Sequence, residues 1–189
     1  MRLISLALAL VLSNLSIADW NLQQPSSIHF LTNKNTHFIE THSFKTFNGS
    51  INKSGHAKLN IELLSVDTRI GIRDERMQKY LFETSRFAQA TFSAEIPTNV
   101  LDKVSTGIQT RYELKGTISL HGEQAQAECQ VMINPNKDGT ITVNTVTPMM
   151  IDAESFGLVA GINKLKEIAG LKSIARAVPV TFSLTFKAD

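Results

Sequence analysis

The feature that most constrains this chain is a two-residue repeat of apolar side chains, interrupted by turn signals. From Val178 to Phe186 every even position is apolar. Successive side chains of a strand point to opposite faces, so Val180, Phe182, Leu184 and Phe186 form one apolar row. The same alternation recurs at Leu59, Ile61 and Leu63, at Phe92, Ala94 and Ile96, and at Leu114, Ile118 and Leu120. Shorter instances are Ile141 with Val143, and Cys129 with Val131 and Ile133. Between these runs lie Asn48-Gly49, Ser54-Gly55, His121-Gly122 and the stretch Asn134 to Gly139, all with turn chemistry. Short connections join antiparallel neighbours, because a parallel crossover needs a dozen residues or more. The expectation is an all-β, antiparallel meander of about eight strands, closed on itself to remove its edges.

Two segments follow a helical period instead. Met77, Tyr80 and Leu81 make one stripe in the run Arg73 to Leu81. A second helix is expected from an N-cap at Ser155 to a terminating Gly170, with Leu158, Ile162 and Leu165 on its apolar face. Gly157 and Gly161 inside it each cost about 1 kcal/mol relative to alanine.

Residues 1–18 read as a secretory signal peptide: Arg2, a mostly apolar core Leu3–Leu12, and small residues at Ser16 and Ala18 before Asp19. That core is far short of the roughly 20 residues that span a bilayer. The expected mature chain, 19–189, is one domain in the periplasm. Over the whole chain 19 basic residues face 17 acidic ones, a net charge of +2, too balanced for a dedicated nucleic-acid binder. The single cysteine excludes an internal disulfide framework, and its apolar setting reads as a buried hydrophobe rather than a reactive thiol.

Catalytic and metal motifs are not evident. His29, His37, His42, His56 and His121 show no ligand spacing, His37 and His42 being expected on opposite sides of one strand. There is no G-x-S-x-G elbow, and Cys129 has no recognisable base. No enzyme, cofactor or metal is expected. Arg73 beside Asp74 reads either as a lipid head-group contact or as helix-start electrostatics with a local ion pair, the latter preferred. Lys164, Lys166, Lys172 and Arg176 read either as a solvated face or as a contact for a phosphate head group or an anionic membrane.

The order of several short motifs resembles the YceI-like family of secreted, lipocalin-like polyisoprenoid-binding proteins. The resemblance rests on Ser65-Val66-Asp67-Thr68, Arg73-Asp74, Leu81-Phe82, Phe87 and the strand near Phe92. It extends to Leu114–Gly122, Trp20, the spacing Phe44, Phe47, Gly49, and Phe156-Gly157. The resemblance implies a lipocalin-like barrel with one or two short helices, holding an isoprenoid or other amphiphilic lipid for sequestration or transport. The candidate lumen wall is Leu59, Ile61, Leu63, Phe92, Ile96, Leu114, Ile118, Leu120, Val131, Val143, Val180, Phe182 and Leu184, and the head-group candidates are Arg73, Lys164 and Lys166. Alternation alone does not separate this from a side-chain-filled barrel serving protein interaction or envelope stress, since both need inward apolar rows. A homodimer and transient membrane-surface contact are compatible with either.

Overall fold

A computed structural model describes residues 19–189; the expected signal peptide lies outside the described residues. In chain order the elements are β1 (Trp20–Lys34), β2 (Phe38–Phe44), β3 (Phe47–Ile51), β4 (His56–Glu62), β5 (Val66–Asp67) and α1 (Gly71–Arg76). Then come β6 (Gln89–Glu95), α2 (Thr98–Ser105), β7 (Thr110–Leu120), β8 (Glu123–Pro135), β9 (Thr140–Thr145), β10 (Met149–Asp152), α3 (Val159–Ile168) and β11 (Ala177–Ala188).

Eight positions close into a barrel, in the order β1, β11, β9, β8, β7, β6, β4, β3 and back to β1. Every pairing is antiparallel, as the short connections require. β1 is long enough to serve two partners: its first residues pair with β3 and its last with β2, so β2 and β3 share one place in the ring. β10 likewise extends β9 along β11. The closed antiparallel barrel expected from the alternation, lipocalin-like as the family resemblance implies, is the fold observed.

The turns differ in detail. His121 and Gly122, at φ 55° and 84°, make the two-residue link between β7 and β8, both with the positive φ such hairpins favour. Asn48-Gly49, expected as a turn, lies inside β3. Gly49 is there because a Cβ would meet the Lys58 carbonyl at 2.9 Å, so glycine serves close strand approach rather than chain reversal. The reversal falls at Asn52–Gly55, where the Gly55 N–H donates to the Asn52 carbonyl at 2.9 Å.

Among the described residues three helices are present, one more than the periodicity suggested. α2 follows Pro97 and buries Val100, Leu101 and Val104 against the lower rim, closing that end over Ile51, Ile96 and Ile133. Near the other end, α1 runs into a single wider π turn, Met77–Leu81, where the Phe82 N–H reaches back to Met77. The expected helix at Ser155 is split. Asp152, not Ser155, caps a 3₁₀ turn at Ala153–Phe156, accepting from the Glu154 N–H at 3.1 Å; Gly157 then turns left-handed at φ 65° before α3 begins. Gly161 is no flaw in α3. A Cβ there would stand 2.4 Å from the Tyr80 carbonyl oxygen and 2.8 Å from Leu81 Cα, so its bareness lets the helix lie directly on the π turn. Gly170, at φ 62°, follows the helix end as expected.

Candidate functional site

The barrel interior is hollow. A cavity of about 330 Å³ runs from Tyr112, Ile96 and Phe186 near the α2 end to Met77, Leu165 and Ile174 beneath α1 and α3. That volume lies within the range of small-molecule sites. All thirteen residues expected on the lumen wall line it. Leu59, Ile61, Phe92, Ile118, Val180 and Phe182 point inward yet are only half-buried, because they border open space rather than one another. The side-chain-filled barrel is therefore not the observed one.

Sequence periodicity missed several parts of the wall, Met149 and Ile151 of β10 among them. The inward row of β1, Ile28, Phe30, Thr32 and Lys34, alternates but becomes polar towards its end, which dilutes the signal. Met77, Leu81 and Phe82 enter from the π turn, and Leu158, Ile162 and Leu165 from the segment leading into and through α3. Their stripes were legible; their direction was not, since a helical stripe does not say which surface it covers.

Near the α1 end the wall changes character. Thr32, Lys34, His42, Arg73 and Arg76 line the cavity there. Arg73 does not pair with its neighbour Asp74, as the sequence suggested. Its Nη1 donates to both carboxylate oxygens of Glu40 on β2, at 3.0 and 2.9 Å, and its Nη2 to the Thr68 carbonyl at 2.6 Å. Asp74 instead accepts from the Thr68 N–H and hydroxyl, at 2.8 and 2.5 Å, which folds the start of α1 back onto the Ser65–Thr68 segment. Lys34 pairs with the same Glu40. Burial raises the Glu40 pKa, but hydrogen bonds and charge from Lys34 and Arg73 outweigh it and hold the carboxyl down at about 2.

His42 is 4% exposed and shares that wall. His37, expected on the same strand, lies instead in the turn before β2. His42 Nε2 lies 3.0 Å from the Thr32 hydroxyl, and its ring packs 5.2 Å from Phe30. Desolvation, then the charge of Arg73, lowers its pKa to about 4, so the imidazole is neutral at pH 7. Lys164 and Lys166 are not brought to the cavity; Lys164 pairs with Glu167, while Leu165 between them faces inward. Among the described residues no group of three His, Cys, Asp or Glu is placed to hold a metal. Cys129 is buried, which pushes its thiol up to about 11.

The YceI-like domain model matches residues 20–186, nearly all of the described chain. The chain belongs to the YceI-like family. It is similar to a polyisoprenoid binding domain from Saccharophagus degradans implicated in plant cell wall breakdown, at 33% identity and TM-score 0.85 over 90% of this chain and 98% of that one. BcnA of Burkholderia cenocepacia shares the YceI-like fold at 18% identity and TM-score 0.64, over 85% of this chain and 95% of that one. The YceI protein of Campylobacter jejuni does so at 15% and 0.55, over 76% and 82%. Among curated protein sequences none matches.

Proposed function

We propose that this YceI-like protein carries an isoprenoid-type or other amphiphilic lipid in its barrel, by binding rather than catalysis. The observation that carries the reading is the continuous apolar lumen of about 330 Å³; its likeness to a polyisoprenoid binding domain at 33% identity supports the ligand class. Ten ligand carbons withdrawn from water contribute about 8 kcal/mol gross, at roughly 0.8 kcal/mol per CH₂. Immobilising the ligand offsets part of that gain, leaving an affinity suited to holding and releasing. No nucleophile or acid–base pair is needed. Organic extraction of protein purified from its own envelope, followed by mass spectrometry, should release a lipid with a long apolar tail. Absence of lipid from the native protein, with no uptake on reconstitution, overturns the proposal.

Transport adds two requirements, export and a surface for exchange. The signal-like residues 1–18 support a periplasmic site of action; mature protein from the periplasmic fraction should begin at Asp19. For exchange, Phe38 and Ile39 are 64% exposed, and Ile70 and Ile72 are 49% and 53% exposed. The Arg73–Glu40 and Arg69–Thr41 hydrogen bonds draw these two segments together beside the charged part of the lumen wall. Apolar side chains beside basic ones suit transient contact with an anionic bilayer. Co-sedimentation with anionic vesicles should weaken in a Phe38→Ser/Ile39→Ser variant. A homodimer that persists at low micromolar concentration and is lost in that variant would assign the patch to a second copy instead.

A further inference from the structure

The wall of the lumen is mostly apolar, with single polar residues at Ser50, Lys58, Thr91 and Tyr112, and gathers charge at one place, which is both cationic and unsatisfied. Lys34, Arg73 and Arg76 line the cavity together. Two of them share a single carboxylate, Glu40, and Arg76 has no ion-pair partner among the described residues. Asp74, the other nearby acid, is committed to Thr68 and does not line the cavity. Beside these cations, two buried nitrogens lack hydrogen-bond partners among the described residues: His42 Nδ1 and Arg73 Nε. A buried polar atom left without a partner is costly, and most such atoms in native proteins find one. Here both belong to side chains lining a cavity that borders an apolar tunnel. Surplus positive charge beside an apolar cavity is unfavourable by itself and becomes favourable when a negative group completes it.

We infer that the lumen takes an amphiphile with an acidic head group, a phosphate or a carboxylate, seated among Lys34, His42, Arg73 and Arg76 with its tail running towards Phe186. The inference rests on the lipid-carrier reading and adds the charge of the ligand to it. A guanidinium attracts an oxyanion by charge as well as through its donors. The Arg73 Nη groups hold Glu40 and Thr68 and its unpartnered Nε is buried, so Arg73 acts on the head group through its charge. Arg76 supplies the charge that Glu40 does not already neutralise. His42 flanks the head group, fixed through Thr32. A neutral head group would meet hydrogen-bond donors but would leave the cations uncompensated.

The test uses three C20 isoprenoids with the same tail: geranylgeranyl phosphate, geranylgeranoic acid and geranylgeraniol. Each is titrated calorimetrically into delipidated protein at constant pH. Both acids should bind at least tenfold tighter than the alcohol, and the order of phosphate and carboxylate reports which acid the site fits better. The preference should fall by at least threefold in Arg76→Gln, which removes no ion pair seen in the fold, while affinity for the alcohol stays within twofold. Arg73→Gln should lower the preference further; because it also frees Glu40, its thermal unfolding is recorded alongside and Arg76→Gln decides. Alcohol and acids binding alike overturns the acidic head group and leaves lipid carriage standing. Failure of all three to bind overturns both.

Discussion

Gly161→Ala sets two physical effects of opposite sign against each other at one atom. Helix propensity alone makes the substitution stabilising by about 1 kcal/mol. The contact with the π turn makes it destabilising. The added Cβ would sit 2.4 Å from the Tyr80 oxygen and 2.8 Å from Leu81 Cα, where ordinary contact begins at 3.4 Å. Both obstacles are backbone, so neither can swing aside as a side-chain end could. α3 would have to retreat by about 1 Å, loosening Leu158 and Ile162, both buried in the cluster beneath it. Overpacking of this kind costs typically about 1–3 kcal/mol before that loss is counted. The net expectation is a loss of about 2 kcal/mol, or roughly 4–8 °C in Tm for a domain of this size. Urea melts of wild type and variant measure it directly. Asn163→Ala, exposed on the same helix, is the control and should gain about 0.5 kcal/mol. Because Ile162 and Leu165 also line the lumen, the Gly161 variant should release a bound lipid faster than wild type. A Gly161→Ala protein more stable than wild type would refute the close approach and leave helix propensity as the larger of the two effects.

Three further outcomes are expected. Phe182 borders open lumen, so Phe182→Ala in delipidated protein should cost about 2 kcal/mol, below the usual 3–5 for a packed Phe. With lipid bound that loss should shrink by at least about 1 kcal/mol, and equal losses in paired denaturant melts would mean Phe182 senses no ligand. Between pH 6.5 and 4 the unfolded chain protonates His42 while the folded chain resists it, so stability falls with pH across that window. Its share is up to about 3 kcal/mol at about 1.4 kcal/mol per pKa unit, and His42→Gln should flatten the profile there; an unchanged slope would exclude His42 as the source. Cys129 should resist a maleimide reagent in the folded state at pH 7 and react promptly in urea, since burial both hides the thiol and suppresses its thiolate.

The barrel was legible because its signal is local: one residue in two points inward, and that parity survives whatever the strands later pair with. Thirteen wall residues could be named for that reason. Arg73 shows where such reading ends. Its partner, Glu40, lies 33 residues away on strand β2, and no spacing rule links them. The visible neighbour Asp74 drew the expectation instead. His42 is a similar case, because a lone histidine on a strand carries no mark of burial, and only the surrounding fold makes it neutral. α2 escaped notice because Val100, Leu101 and Val104 form a stripe barely two turns long. The lysines at 164 and 166 mislead in the opposite way, being the residues on either side of the one, Leu165, that enters the lumen.

The seam where β11 meets β1 decides when the lumen can exist. Trp20 lies opposite Ala188, and Asn21 donates its side-chain amide to Asp189 across 168 residues. The contact that shuts the ring therefore joins almost the first described residue to the last, and it bears the largest loop-closure entropy in the molecule. Such long-range pairings form late and slowly. A chain that lacks residues 177–188 leaves β1 and β9 as two free edges and encloses no interior. A ligand of the kind proposed above must therefore enter a finished barrel, after its last strand has docked.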